Sequence, residues 1–114
     1  MLEYHGQIFN CPMELAVHLI SGKWKTVILW NLVEKPLRFA ELSRRFPEIS
    51  EKVLTAQLRS LERDGMIVRT VYPKVPLRVE YALTVFGESL IPILKELNIW
   101  GTGFHIIEEL DIDK

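Results

Sequence analysis

Residues 49 to 65, Ile-Ser-Glu-Lys-Val-Leu-Thr-Ala-Gln-Leu-Arg-Ser-Leu-Glu-Arg-Asp-Gly, carry the start, the stop and both faces of a helix in one stretch. Ser50 is a good N-cap because its hydroxyl can accept from an unpaired backbone N–H of the first turn, and Glu51 sets negative charge against the positive end of the helix dipole. Ile49 can staple onto Leu54 across the cap, and Gly65 supplies the left-handed stop. At about 100° per residue, Leu54, Leu58 and Leu61 share one side with Val53 at its edge, whereas Lys52, Thr55, Ala56, Arg59 and Arg63 share the other. The stretch needs a core on one side and leaves cations on the other. Alone, that basic face is compatible with a solvated surface helix, so the neighbouring segments must decide its use.

Upstream, Phe39, Leu42 and Phe46 have helical spacing, which predicts a two-turn helix from about Arg38 to Phe46 that Pro47 ends. Only Pro47-Glu48-Ile49 separates it from the Ser50 cap. Two short helices joined by so brief a turn make a helix-turn-helix, whose second helix enters the major groove. Downstream, Met66 to Tyr72 and Arg78 to Leu83 are rich in β-branched and aromatic residues, with Val79, Tyr81 and Leu83 alternating onto one face. Pro73-Lys74-Val75-Pro76-Leu77 lies between them as a loop. The expectation is a hairpin wing with Lys74 and Arg78 near its tip, able to reach flanking backbone or minor groove.

The rest of the chain supplies core and contact surface. Residues 1 to 10 lack periodicity and read as an arm. Pro12 suits the first position of a short helix that Ser21-Gly22 interrupts, and Trp24 to Val33 is apolar nearly all round, as befits a buried helix. Thr84 can cap a further helix, bent at Pro92, with Leu90, Leu94 and Leu97 along one side; Trp100-Gly101 then marks a corner before a last helix over 104 to 110. This apolar material exceeds what a three-helix winged core can cover, so Leu90, Leu94, Leu97, Trp100, Phe104 and Ile107 are expected at a homodimer interface. The fold class is mainly α with a small β-hairpin (α+β): one domain over residues 1–114, with core, helix-turn-helix and wing in 12–83 and dimerisation helices in 84–114.

With 114 residues, 48% hydrophobic and 25% charged, the chain is long enough for one core and short for two. No apolar run approaches a membrane span, and Met-Leu-Glu-Tyr-His lacks the features of a signal peptide, so a cytoplasmic protein is expected. A single cysteine, Cys11, limits any disulfide to a link between two molecules, and with three scattered histidines it makes no metal spacing. No cofactor is implied. The absence of a nucleophile-base-acid set, a phosphate-cradling glycine loop or a metal cluster argues against an enzyme. The net charge of -1 hides a split: residues 35–78 balance to +5 and residues 84–114 to -4. Local charge sets the counterion-release contribution, so the middle of the chain can bind phosphate.

Cys11-Pro12, Gly22-Lys23-Trp24, Ile28-Leu29, Arg38-Phe39-x-Glu41-Leu42, Ile49-Ser50-x-Lys52-x-Leu54-Thr55, Leu61-Glu62-x-Asp64-Gly65, Val79-Glu80-Tyr81-x-Leu83-Thr84, Gly87 and Trp100-Gly101 follow one another in an ordered set. From Cys11 to about Trp100 the chain resembles the HxlR-type family of bacterial winged helix-turn-helix transcription regulators, relatives of the MarR group. The resemblance implies a homodimer, joined by its terminal helices, that binds an inverted-repeat (palindromic) operator in double-stranded DNA and represses or activates nearby genes. It also implies an early cysteine able to sense oxidants or electrophiles. Glu48 and Leu77 depart from the family, which often has glycine in the turn and a second proline near the wing.

On this reading Ser50, Lys52, Thr55 and Arg59 face the groove, with Lys52 and Thr55 in the half that reaches base edges and Arg63 at the rim. Gln57 falls on the apolar side by rotation; it either reaches adenine or hydrogen-bonds the turn. Arg38, Arg44, Lys74 and Arg78 are candidates for backbone contact. Cys11 is either a reactive thiol at a helix N-terminus or a small apolar residue packed near the dimer interface. A winged helix that binds a protein partner instead of DNA is the competing function.

Overall fold

The computed structural model describes the backbone of residues 1–112 and the side chains of residues 1–104. The chain opens with β1 (Leu2–Tyr4) and β2 (Gln7–Phe9), antiparallel with Leu2 opposite Phe9. The turn between them places His5 and Gly6 both at positive φ, 49° and 79°, the geometry that lets a two-residue turn follow the twist of its strands. The expected arm is therefore a hairpin.

Cys11 stands at the N-cap position of α1 (Pro12–Ile20) without a side-chain capping bond, and Pro12 opens the helix, where no intrahelical N–H is needed. Gly22, at φ +114°, turns the chain into α2 (Lys25–Asn31). Ile28, Leu29 and, just beyond, Leu32 are buried at the centre of the core, while Val27 stays exposed and Trp30 half-buried. The helix is central as expected, but its Val27–Trp30 side faces a hollow beside the last helix.

A short strand, β3 (Leu37–Arg38), precedes α3 (Phe39–Arg45), and the turn through Pro47 leads to α4 (Glu51–Arg63). The Val53 N–H donates to Ser50 Oγ at 3.1 Å. At the other end, the Met66 N–H donates to the Leu61 carbonyl and the Gly65 N–H to the Glu62 carbonyl, with Gly65 at φ +77°. That pair of bonds closes the helix and needs the left-handed residue between them. Both ends of α4 are thus built as its sequence predicts. Leu54, Leu58 and Leu61 lie at most 1% exposed.

The wing is β4 (Ile67–Tyr72) and β5 (Arg78–Leu83), paired from Ile67–Leu83 to Tyr72–Arg78. β3 adds to the other edge of β5, Arg38 opposite Glu80, to give the order β3-β5-β4. Two residues are too few for a visible alternation, so β3 was not legible in the sequence.

Thr84 ties the sheet to the C-terminal helices. Its N–H donates to the Met66 carbonyl, its hydroxyl donates to the Gly65 carbonyl at 2.6 Å, and Oγ1 accepts from the Gly87 N–H at 3.0 Å. The helix it caps, α5 (Val85–Glu88), is a single turn. Then α6 runs unbroken from Ile91 to Ile112. Two expectations fail here. Pro92 stands in the first turn of α6, where it costs no hydrogen bond and starts a helix rather than bending one. Trp100-Gly101 makes no corner: an exposed glycine costs a helix only about 1 kcal/mol relative to alanine, and α6 passes through it.

Leu94 is a further correction. It is 3% exposed and belongs to the chain's own core, with half-buried Leu90 packed against that core, whereas Leu97, Trp100 and Phe104 are exposed. Trp100 and Phe104 are 69% and 54% exposed and stack edge to face at 5.2 Å. Ile107 lies outside the residues whose side chains are described. No helix among the described residues is long and apolar enough to cross a membrane.

Candidate nucleic-acid interface

Because the buried leucines fix the rotation of α4, its opposite face is fixed too. Lys52, Ala56, Arg59 and Arg63 are exposed there and Thr55 is half-buried. Ser50 stays exposed at the N-cap. The start of α4 sets backbone N–H groups beside Lys52, a combination suited to a phosphate or base edge, while Glu51 in the first turn offsets part of that positive charge. Glu62 joins Ala56, Arg59 and Arg63 around a shallow open hollow on this face, so the C-terminal half is less purely basic than the cations alone suggest.

Gln57 does not face the groove. It is half-buried, and its Oε1 lies against the α1–α2 corner, 3.6 Å from where a Cβ on Gly22 would stand. That oxygen is buried and has no hydrogen-bond partner among the described residues. The adenine contact open to Gln57 in the sequence is corrected by this orientation, and so is the hydrogen bond to the turn.

Arg38 is the N-cap residue of α3, exposed, with its N–H donating to Glu41 Oε1 at 2.9 Å. This bond above all, with the nearby charges of Lys35, Arg38 and Arg44, holds the Glu41 carboxyl below its usual range. Only this half of a reciprocal cap is made, because an arginine side chain has no acceptor to offer the first N–H groups of α3. Arg44 is exposed on α3, whereas the neighbouring Arg45 donates to Asn31 Oδ1 at 3.0 Å and links α3 to α2. At the wing, Lys74 is exposed, but Arg78 is half-buried. Its guanidinium lies 4.1 Å from the centre of the Tyr72 ring, and its Nε is 4.0 Å from Glu80 Oε1. Tyr72 thus serves this surface although the strand pattern marked it only as a β-former.

Cys11 is an exposed free thiol at the start of α1, an exposure compatible both with a reactive thiol and with a residue packed near a dimer interface. Among the described residues no group of His, Cys, Asp and Glu could hold a metal ion.

A capped helix-turn-helix with an outward basic face, followed by a hairpin with cations at and beside its tip, is the apparatus of a DNA-binding winged-helix transcription regulator. The chain belongs to the HxlR-like helix-turn-helix family, whose model matches residues 19–109. It is similar to an uncharacterised HTH-type transcriptional regulator of Methanothermobacter thermautotrophicus, 53% identical over 101 residues that cover 89% of this chain and 77% of the relative. It is also similar to the HTH-type regulator YdeP of Bacillus subtilis, 44% identical over 104 residues, 90% of this chain and 81% of the relative. Among solved structures it resembles the redox regulator HypR in its reduced form, with a TM-score of 0.81 at 40% identity over 87% of this chain and 98% of that one. These relatives are regulators of transcription and not enzymes, and so is this chain.

Proposed function

We propose that two copies of this chain act as a homodimeric, sequence-specific regulator in the cytoplasm, placing two α4 helices in the major grooves of an inverted-repeat operator. The observation that carries this reading is the outward face of α4, where Lys52, Thr55 and Arg59 project from a helix whose rotation three buried leucines fix. Arg38, Arg44, Arg63 and Lys74 surround it as backbone contacts. The exposed Leu97, Trp100 and Phe104 of α6 support a second copy as the partner.

Titration against the DNA upstream of its own gene, at several salt concentrations and beside an unrelated duplex, tests the reading. A steep salt slope and a clear preference for the upstream duplex are expected. A slope near zero, or equal affinity for both duplexes, rejects it. Charge reversal at Lys52 and Arg59 should abolish the preference; a protein-binding winged helix would be indifferent to it.

The same reading makes Cys11 the responsive group. Its exposure at the start of α1 and the likeness to a redox regulator support this. Diamide takes two protons and two electrons from two thiols, so the expected product is a dimer linked through Cys11 with altered DNA affinity. No change in either dismisses this part alone.

A further inference from the structure

Beside the wing loop lies a concavity of about 460 Å³ lined by Arg38, Tyr72, Lys74 and Arg78 together with Pro73, Val75 and Pro76. The register explains why these residues meet. Tyr72 is opposite Arg78 and Arg38 is opposite Glu80, and residues opposite or two apart in a sheet share a face. Three cations therefore line one hollow, with Glu80 beside Arg78 and Glu41 near Arg38 as the acids that offset part of their charge.

Arg78 is already held in place there by the Tyr72 ring and by Glu80. Its buried Nε has no hydrogen-bond partner among the described residues. A planar guanidinium seated on an aromatic ring loses little freedom when an anion arrives. We infer that this hollow takes a single phosphodiester of the duplex that flanks the segment read by α4, gripped by Arg38, Lys74 and Arg78, with Tyr72 as the residue that positions Arg78. The inference rests on the DNA-binding reading above and adds to it that three cations serve one phosphate.

The salt slope tests this stoichiometry, because each phosphate neutralised contributes a slope of about -0.9. Binding of a duplex spanning the upstream region is measured by fluorescence anisotropy at several salt concentrations. The proteins are the wild type, Arg38→Gln, Lys74→Gln and the triple variant with Arg78→Gln added. The triple variant is expected to reduce the slope by about one. A reduction of two or three assigns separate phosphates and overturns the inference. Arg38 and Lys74 are exposed, so their single variants remain informative if the triple variant fails to fold.

Tyr72→Ala is expected to weaken binding about two- to fivefold and Tyr72→Phe to restore it, since the ring and not the hydroxyl does the positioning. Equal loss in both overturns that role. If Lys52→Ala weakens binding while the hollow variants change neither affinity nor slope, the hollow assignment fails and the reading of α4 stands. A flat slope for the wild type removes the parent reading itself. Isothermal titration with inorganic phosphate separates the two sources of the anion: saturation that leaves duplex affinity unchanged overturns the assignment to DNA backbone.

Discussion

The hydroxyl of Tyr4 donates a 2.9 Å hydrogen bond to the backbone carbonyl of Asp64, joining the N-terminal hairpin to the C-cap of α4 across 60 positions of sequence. The last carbonyls of a helix have no partner within it, so an outside donor at this point both satisfies one and fixes where the helix stops. Tyr4→Phe should cost about 1 kcal/mol in urea unfolding. Burial first, and the Asp64 charge second, raise the Tyr4 pKa above its ordinary 10.0. A raised acid keeps its proton longer in the folded state, so its stabilisation is complete below pH 10.0 and is lost as pH rises through the folded value. The Phe variant should lack that alkaline component, and an unchanged pH profile would count against the contact.

Ser50→Ala should destabilise the chain by about 1 kcal/mol through the lost cap on the Val53 N–H. If the same turn lies in the groove as proposed, DNA affinity should fall as well. Ser50→Asp, which keeps the cap, should recover the stability measured by denaturant while repelling phosphate.

A methyl group on Gly87 would overlap the Met66 carbonyl, the same oxygen that accepts from the Thr84 N–H. Backbone cannot yield as a side chain can. Gly87→Ala should therefore cost about 3 kcal/mol, read as a lowered denaturation midpoint with little change in slope. A neutral result would show that the α5 turn relaxes freely.

Trp100→Glu should convert a dimer to a monomer in analytical ultracentrifugation, because it sets charge in the middle of the exposed apolar stretch of α6. Leu94→Ala makes the contrast. Its side chain lies in the protomer core, so it should cost about 2–5 kcal/mol of stability at any protein concentration.

The sequence made α4 legible because cap, stop and apolar period coincide on Ser50, Gly65 and the leucines, and each is a local property. The wing was equally open, since the Pro73–Leu77 loop separates two runs of strand formers. The N-terminal hairpin was not, for its strands of three residues give no alternation to count. Gly101 misled for a related reason: it weakens a helix locally, while the continuation of α6 is decided over many residues. Leu94 and Leu97 share a helical side, and which of them meets the core depends on how α6 lies against α2, a tertiary fact. Gln57 was placed correctly on the apolar side by rotation, but its neighbour Gly22 comes from a distant turn. Tyr72 could be joined to Arg78 only once the register was known.

At 22 residues and about 1.5 Å per residue, α6 is about 33 Å long, and among its described side chains Leu94 is the one buried in the core. A helix cannot offset the entropy of its own ordering without a surface to cover. For a homodimer completed by this helix, part of folding is a second-order event, and apparent thermal stability must climb with protein concentration. At low copy number the competent species grows as the square of the amount of chain made. On the proposed homodimeric reading, operator occupancy then rises more steeply than in proportion to gene dosage.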